Sequence, residues 1–368
     1  MEEWKSYKMG DLFTLEYGKP VEDKDSIDGP IPVFGTNGQI GTSHLAPLCN
    51  HPSVILGRKG AYRGVHFSDR PFSVIDTAFY VEPISDMFDI KWLYYKLLTY
   101  DINSMDSGSA IPSTDRYQIY SLSIDLPSLE VQKRTVRVLD SINDKIALNN
   151  RINHNLEEQI QERFDSMIMS DNGLGYCQIA DYVDVNPKRI LKKNEPAKCV
   201  DMSYLSTTGP FPSGWETKGY NGGMKFMNGD TIVARITPCL ENGKVAYVNF
   251  LDDGEVAFGS TEFIVLHAKE GVSPVFTYFL ARNKSFVDYA TKNMNGSSGR
   301  QRVSGETIEK YLIPVIDSDP LNEFSSYATP AMEVIRNNSF ESRSLAATRD
   351  AMLPLLLSGK LSISQMNV

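Results

Sequence analysis

The sequence predicts an α+β chain: two mixed β-rich domains, each followed by one long helix, with the two helices pairing as a coiled coil. Three observations predict it. Residues 126–169 run without glycine or proline after Pro127, and Leu139, Ile142, Ile146, Leu156, Ile160 and Met167 lie on one line of 3- and 4-residue steps whose gaps hold Asn149, Asn153 and Phe164, the stripe by which one helix seeks another. At roughly 1.5 Å per residue this is a rod of about 60 Å, too long for a helix inside a compact domain. A shift of 189 residues lays Ile335 on Ile146, Asn338 on Asn149 and Leu345 on Leu156, so the chain supplies a partner of similar build. Finally, the segments before the two rods repeat one another in order. The expected boundaries are 1–127 and 173–316 for the β-rich domains, with 128–172 and 317–368 for the helices.

Asn149 and Asn153 interrupt the first stripe near its middle, where a buried amide penalises any pairing that leaves it without an amide partner. The second segment, residues 321–358, closes its stripe with Met352, Leu353 and Leu356 as Phe164 and Met167 close the first. It sets Ala328 and Ala331 against Leu139 and Ile142 and contains two prolines. Pro330 lies early enough for a first turn, and Pro354 is expected to kink or end the last turn. Two ordinary core helices would show the same periodicity. The length, the matched asparagines and the equal placement after two similar domains favour pairing.

Along the first half, Met9, Leu12, Phe13 and Leu15 make a short amphipathic element ending at a Gly-Lys-Pro turn. IPVFGTNGQIGTS marks a polar hairpin or loop around Thr36 and Asn37. An apolar strand, Val54 to Leu56, leads into GRKGAYRG, whose glycines let backbone lie close to a ligand. FSVIDTAFYVEP reads as a strand pair and IKWLYYKLLTYDI as an amphipathic helix. A Ser/Gly loop then ends at Arg116, before a period-2 strand through Leu122, Ile124 and Leu126. The second half answers in the same order: IADYVDVNPKR, then GDTIVARITPCLENGKVAYV with Arg235 placed as Arg58 is, then STEFIVLHA, VFTYFLARN and NGSSGRQRVSGETIEKYLIPV. One β-rich unit plus one long helix, used twice, is a duplication and not a solenoid.

With 368 residues, 41% apolar and 23% charged, the chain is ordinary globular material with room for two cores. Cys49, Cys177, Cys199 and Cys239 form no CxxC, so the spacing suggests neither a disulfide framework nor a zinc site. The five histidines stand apart and make no HExxH. No metal or cofactor is expected. No 18-residue apolar run occurs, so a cytoplasmic protein without a membrane partner is the simplest expectation. Net charge is −9, which argues against a free-standing nucleic-acid binder. The excess is uneven: residues 1–127 hold 11 basic and 17 acidic residues, net −6, and residues 175–314 hold 16 and 15, net +1.

WKSYKMGDLF, PVFGTNGQIG, ILGRKGAYRG, GSAIPS with LPSLEVQKR, and LLLSGKLSI span nearly the whole chain in this order. Together they make it resemble the specificity (S) subunits of type I restriction-modification systems. The resemblance implies two target-recognition domains, two helices paired antiparallel with pseudo-two-fold form, and a non-catalytic DNA reader. Each recognition domain would read one half of a split double-stranded target. The helices would act as a ruler and dock two methyltransferase (modification) subunits, which restriction subunits would join. The second copy departs from the pattern, with IPVIDSDPLNEF in place of LPSLEVQKR. Two domains on one face of a duplex need half-sites about one turn apart, roughly 10 bp centre to centre.

If DNA is the ligand, bases are read by Arg, Asn, Gln and short hydroxyls, while Lys mostly positions on phosphate. In the first half the candidates are Thr36, Asn37 and Gln39 on the hairpin, Arg58, Lys59, Tyr62 and Arg63 in the glycine loop, and Ser109, Ser113 and Arg116 in the loop before the strand. In the second half they are Lys188, Arg189, Lys192 and Lys193, a run that also reads as the plainest solvated patch. Lys218 and Asn221 follow, then Arg235, Asn242 and Lys244, and finally Ser297, Ser298, Arg300 and Arg302. Helix pairing is assigned to Leu139, Ile142, Ile146, Asn149, Leu156 and Ile160 against Ile335, Asn338, Leu345 and Met352.

No P-loop, amino-methyltransferase tetrapeptide or glycine-rich cofactor turn is present; Gly359-Lys360 is followed by leucine, which breaks the GK[ST] pattern. Methylation and cleavage are therefore expected of partners. The rival from another class is a coiled-coil scaffold whose β domains bind protein or glycan.

Overall fold

A computed structural model describes residues 4–105, 112–170, 173–297 and 299–363. The chain forms two compact units: Met1–Lys145 with Ser344–Val368, and Ile146–Arg343. The division cuts both long helices, so each unit is a β-rich body plus part of each rod.

In the first unit a four-stranded antiparallel sheet runs Phe13–Tyr17, Ala78–Pro83, Ser53–Gly57, Val65–Ser68. Its inner strand Ser53–Gly57 is buried at every residue, as an apolar run flanked on both edges should be. The hairpin Ile31–Gly35 with Gly38–Ser43 turns at Thr36 and Asn37 as the sequence predicts, and adds Ser73–Val74 in parallel. The pair expected in FSVIDTAFYVEP is thus divided between two sheets. Helix Ile90–Leu97 starts at Asp89, whose carboxylate accepts from the Lys91 and Trp92 amides, an N-cap of ordinary kind. It buries Trp92, Leu93 and Leu97 against Phe13, Val54 and Leu56, with Leu139 and Leu356 brought in from the two rods.

The predicted loop ending at Arg116 is corrected: Arg116 opens a helix, Arg116–Ser121, capped by Asp115, before strand Ser123–Leu126. A six-residue helix is too short to show periodicity, and its cap was the only signal.

The second unit repeats the plan. One sheet runs Val183–Val185, Phe263–Ala268, Thr231–Ala234, Val245–Tyr247, and another Glu216–Gly219, Pro196–Val200, Ala257–Gly259, Met224–Phe226. Helix Pro274–Arg282 buries seven residues, Phe276 and Tyr278 among them.

The rods are Leu129–Met169 and Ser318–Leu356. Within the second unit Asn149 meets Glu341 and Ser342, whereas Asn153 meets Ile335, Asn338 and Ser339. One index rises as the other falls, so this segment pairs antiparallel. The 189-residue shift maps the Asn149–Ser342 contact onto Asn338–Asn153, the reciprocal pattern of a two-fold interface. Asn338 Nδ2 donates to Asn153 Oδ1 at 2.9 Å, the amide partner that the stripe demanded. Ile160 and Ile335 are fully buried here, with Leu156 packed against the same core. In the first unit Leu139 is fully buried and Met352 packs beside it, while Arg349 donates to Asn143 Oδ1 at 2.8 Å. Ile142, Ile146 and Leu345 are half-buried.

Pro330 is a second correction. The helix begins at Ser318, so Pro330 is interior and Pro320 occupies the first turn. Pro330 is exposed, which leaves the carbonyl it cannot bond open to water. Pro354 stands two residues before the helix ends at Leu356, as expected. No helix among the described residues is long and apolar enough to cross a membrane.

Candidate nucleic-acid interface

In the first unit the structure draws three loops that are distant in sequence to one end of the four-stranded sheet. The strand Ser53–Gly57 delivers Arg58, whose amide donates to Thr77 O at 2.8 Å and whose carbonyl accepts from the Thr114 amide at 2.9 Å. Gly60 N donates to Pro112 O at 2.9 Å, and Gly64 N to Thr36 O at 3.0 Å. Glycine is required at position 57, because a Cβ there would stand 2.5 Å from Thr36 Oγ1 and 2.7 Å from Arg63 Cα. Gly60 has φ +119°, the region that favours glycine.

This joinery presents side chains. The Arg58 guanidinium lies 4.7 Å from the Tyr17 ring centroid and that of Arg116 lies 5.1 Å from the same ring, a cation–π arrangement that holds both without a carboxylate. Arg58 also donates to Asp76 O at 3.0 Å. Lys59 is paired with Asp76 at 3.1 Å and bridges to Ser113 in the backbone. Tyr62 is 62% exposed; Asn37 and Gln39 are exposed on the hairpin. His66 sits under Thr36, with Nε2 3.3 Å from its carbonyl, and burial pulls its pKa below the ordinary value.

Arg63 is corrected by the structure. It is 1% exposed, and its guanidinium donates to Gly60 O, Ile102 O and Asn103 O. It ties the glycine loop down from inside and offers nothing to a ligand. Ser109 lies outside the described residues.

The second unit builds the same joint from different side chains. Arg235 N donates to Glu262 O at 3.0 Å, Val303 N to Arg235 O at 3.0 Å, and Thr237 N to Gln301 O at 3.1 Å. These are the counterparts, bond for bond, of Arg58–Thr77, Thr114–Arg58 and Gly60–Pro112. Arg302 stands where Ser113 stands and grips Glu262 through Nε and Nη2 at 2.7–3.0 Å. That hydrogen bonding holds the Glu262 carboxyl below its usual range. Arg300 and Ser297 are exposed on the same loop, closed by Arg300 N to Ser297 O at 3.0 Å. Asn242 and Lys244 lie on the loop that follows Arg235; Lys244 donates to Met202 O, and Asn242 is exposed. Arg235 keeps a buried Nε without a partner. Ser298 lies outside the described residues.

Other candidates are not gathered there. Lys218 and Asn221 belong to the second sheet and its turn, and Lys218 is held by Asp201 and Glu216 at 2.7 and 3.0 Å, Asp201 first among the causes that raise its pKa. Lys188, Lys192 and Lys193 are exposed on a connection between the sheets. Arg189 is corrected: it pairs at 3.0 Å with Asp230, whose side chain is fully buried, so it closes the core instead of facing solvent.

Residues 1–158 match the family model described as the type I restriction modification DNA specificity domain. The first 158 residues are thus similar to type I DNA specificity domains. The matched stretch includes the Tyr17, Arg58 and Arg116 cluster and the first rod as far as residue 158. The chain is 30% identical over 152 residues to the specificity subunit of the type I restriction enzyme EcoAI of Escherichia coli, covering 39% of this chain and 25% of that protein. The EcoEI specificity subunit of the same organism matches over 151 residues at 30%, with the same coverage. The matched stretch thus spans about a quarter of the length of these two relatives. The HindI specificity subunit of Haemophilus influenzae is 19% identical over 372 positions, covering 78% of this chain and 81% of that protein. The solved type I restriction-modification S subunit from M. genitalium shares the fold, with TM-score 0.68 at 14% identity over 96% of each chain.

Sequence reasoning missed Tyr17, Glu262 and Gln132. Tyr17 closes its strand just before a turn, and no spacing ties it to Arg58 or Arg116. Gln132, within the LPSLEVQKR motif, is fully buried; it accepts from Asp89 N and donates to Met87 O and Pro127 O, fixing how the first rod leaves the β-rich body of the first unit. Leu321 takes the corresponding place in the second unit and is buried as an apolar residue, which accounts for the divergent IPVIDSDPLNEF.

Proposed function

We propose that this chain is the DNA-reading subunit of a type I restriction-modification complex and carries out no chemistry itself. Residues 1–127 and 173–316 serve as recognition domains that each inspect one half of a split double-stranded target. Residues 128–172 and 317–368 act as spacer helices and seat two methyltransferase subunits, through which restriction subunits join. The observation that carries the reading is the repeated joint: three equivalent backbone bonds present loops of different side chains in the two units. A shared frame with divergent tips is what two readers of different sequences need.

The contacts assigned to DNA are Thr36, Asn37, Gln39, Arg58, Lys59, Tyr62, Ser113 and Arg116 in the first domain. In the second they are Arg235, Asn242, Lys244, Ser297, Arg300 and Arg302, with Lys188, Lys218 and Asn221 as outlying phosphate contacts. Many cations here are already paired with carboxylates, as Lys59, Lys218 and Arg302 are. Together with the net charge of −9, this predicts weak, salt-sensitive binding by the chain alone and tight binding with its methyltransferase. Retention of duplex DNA by the purified complex tests the reading. Loss of sequence-selective retention on combined Arg58→Ala and Arg116→Ala is expected, whereas unselective retention by the native complex would favour the scaffold.

A further inference from the structure

The end of the first unit's sheet opposite the glycine loop holds a cluster that DNA reading leaves unused. Cys49, His51 and Glu82 bring a sulfur, a ring nitrogen and a carboxylate oxygen within 4.8 Å of one another. Cys49 Sγ lies 3.6 Å from His51 Nε2, which lies 3.1 Å from Glu82 Oε2. Each ligand is fixed by the fold. Cys49 exchanges two backbone hydrogen bonds with Phe72 at 3.0 Å and is 3% exposed among Phe34, Ile55 and Phe72. Glu82 is held in its strand opposite Thr14.

The placement of the three ligand atoms carries the inference. His51 Nδ1 is 3.1 Å from Pro52 O, and a carbonyl only accepts, so Nδ1 bears the proton. His51 Nε2 in turn faces the Glu82 carboxylate oxygen at 3.1 Å and the Cys49 sulfur at 3.6 Å. The Cys49 thiol donates to His51 O at 3.4 Å, and that proton is the one a cation entering among the three atoms would displace; a backbone carbonyl behind Nδ1 is how proteins orient metal-binding imidazoles. The second unit shows what fills such a corner. Strand register sets Asp230 and His267 where Ser53 and Glu82 stand, and there the Arg189 guanidinium and the His267 ring both bond Asp230, at 3.0 and 2.7 Å. Among the described residues no Lys or Arg is paired with Glu82 in the first unit; its ion-pair partner is His51.

The spacing fits a particular ion class. For Zn²⁺, with sulfur at about 2.3 Å and nitrogen at about 2.0 Å, a tetrahedral angle separates the two by about 3.5 Å, against the 3.6 Å found. Hard ions such as Mg²⁺ and Ca²⁺ take oxygen and not thiolate. The His51 and Glu82 side chains are 41% and 45% exposed, which leaves an entry path and room for a water as fourth ligand. We infer that Cys49, His51 and Glu82 form a three-ligand site for a Zn²⁺-class divalent transition ion, clipping the two strands whose far ends support the glycine loop. Binding releases the thiol proton and stabilises the first unit.

The test is a titration of the metal-free full chain with Co²⁺, then Zn²⁺. Co²⁺ is expected to produce a sulfur-to-cobalt charge-transfer absorption that Zn²⁺ abolishes by displacement. Cys49→Ser removes that absorption, His51→Ala and Glu82→Gln each weaken Zn²⁺ about tenfold or more, and Cys199→Ser leaves both unchanged. X-ray absorption on the zinc-loaded native chain needs no variant, and one sulfur in the first shell is expected. An absent charge-transfer band, a band retained in Cys49→Ser, or a shell without sulfur overturns the assignment.

Discussion

Replacing Asn338 with alanine removes the amide that donates to Asn153 Oδ1 at 2.9 Å. Asn153 is 8% exposed, so its oxygen loses that partner where water has little access, and its Nδ2 keeps only Ser339 Oγ at 3.1 Å and the longer contact to Ile335 O. A buried acceptor left in this way costs about 1–3 kcal/mol. Replacing both asparagines with leucine exchanges a polar pair for an apolar one of similar volume, which ranges from nearly neutral to stabilising. The two sites touch, so the double variant departs from the sum of the singles by about 0.5–3 kcal/mol. Because the chain has two units, a single unfolding midpoint is a poor reporter. Hydrogen exchange of the peptide covering residues 146–160 reads the relevant opening directly. Asn338→Ala is expected to speed that exchange about 5- to 150-fold, and the double leucine variant to restore protection. Exchange changed less than about twofold by Asn338→Ala, or strictly additive effects, would refute the claim that these rods pair through their amides.

Gly57→Ala should lower thermal stability by about 1–3 kcal/mol, as overpacking does, because the new methyl meets Thr36 and Arg63; an unchanged melting curve would separate the hairpin from the glycine loop. Arg300→Ala should reduce discrimination at one base position by about 1–3 kcal/mol, measured against a panel of single-base variants of the target. Arg302→Ala instead leaves Glu262 without its guanidinium and should weaken all sequences alike. His66 has a folded pKa below its unfolded 6.5, so the unfolded state binds more protons in that range and stability rises with pH. Its contribution is present above 6.5 and lost as pH falls through the folded value; His66→Gln should flatten that part of the acid limb in unfolding experiments across it.

The long rods were legible because about 40 residues of heptad-like spacing admit few other structures; that Asn153 meets Asn338 while Asn149 meets Glu341 and Ser342 comes from the antiparallel register. The hairpin at Thr36 and the repeat of the β-rich units were equally open to reading, through glycine placement and parallel order. What stayed hidden depends on pairs distant in sequence. Arg63 looks like any loop cation until Ile102 and Asn103, 39 and 40 residues away, offer their carbonyls. Arg302 and Glu262, also 40 residues apart, pair only because a bridge sets Arg302 beside Ile236. The Cys49, His51 and Glu82 trio has no motif spacing, since strand register and not sequence brings Glu82 to the other two.

The most direct test of the central claim is the methylation pattern on DNA exposed to the complex of this chain with its methyltransferase. Sequencing that detects modified bases should reveal one split motif, two short specified blocks separated by a fixed unspecified gap. Arg58→Ala with Arg116→Ala should relax one block and Arg300→Ala the other. A single uninterrupted motif, or the same block relaxed by both sets of substitutions, would contradict the two-reader account.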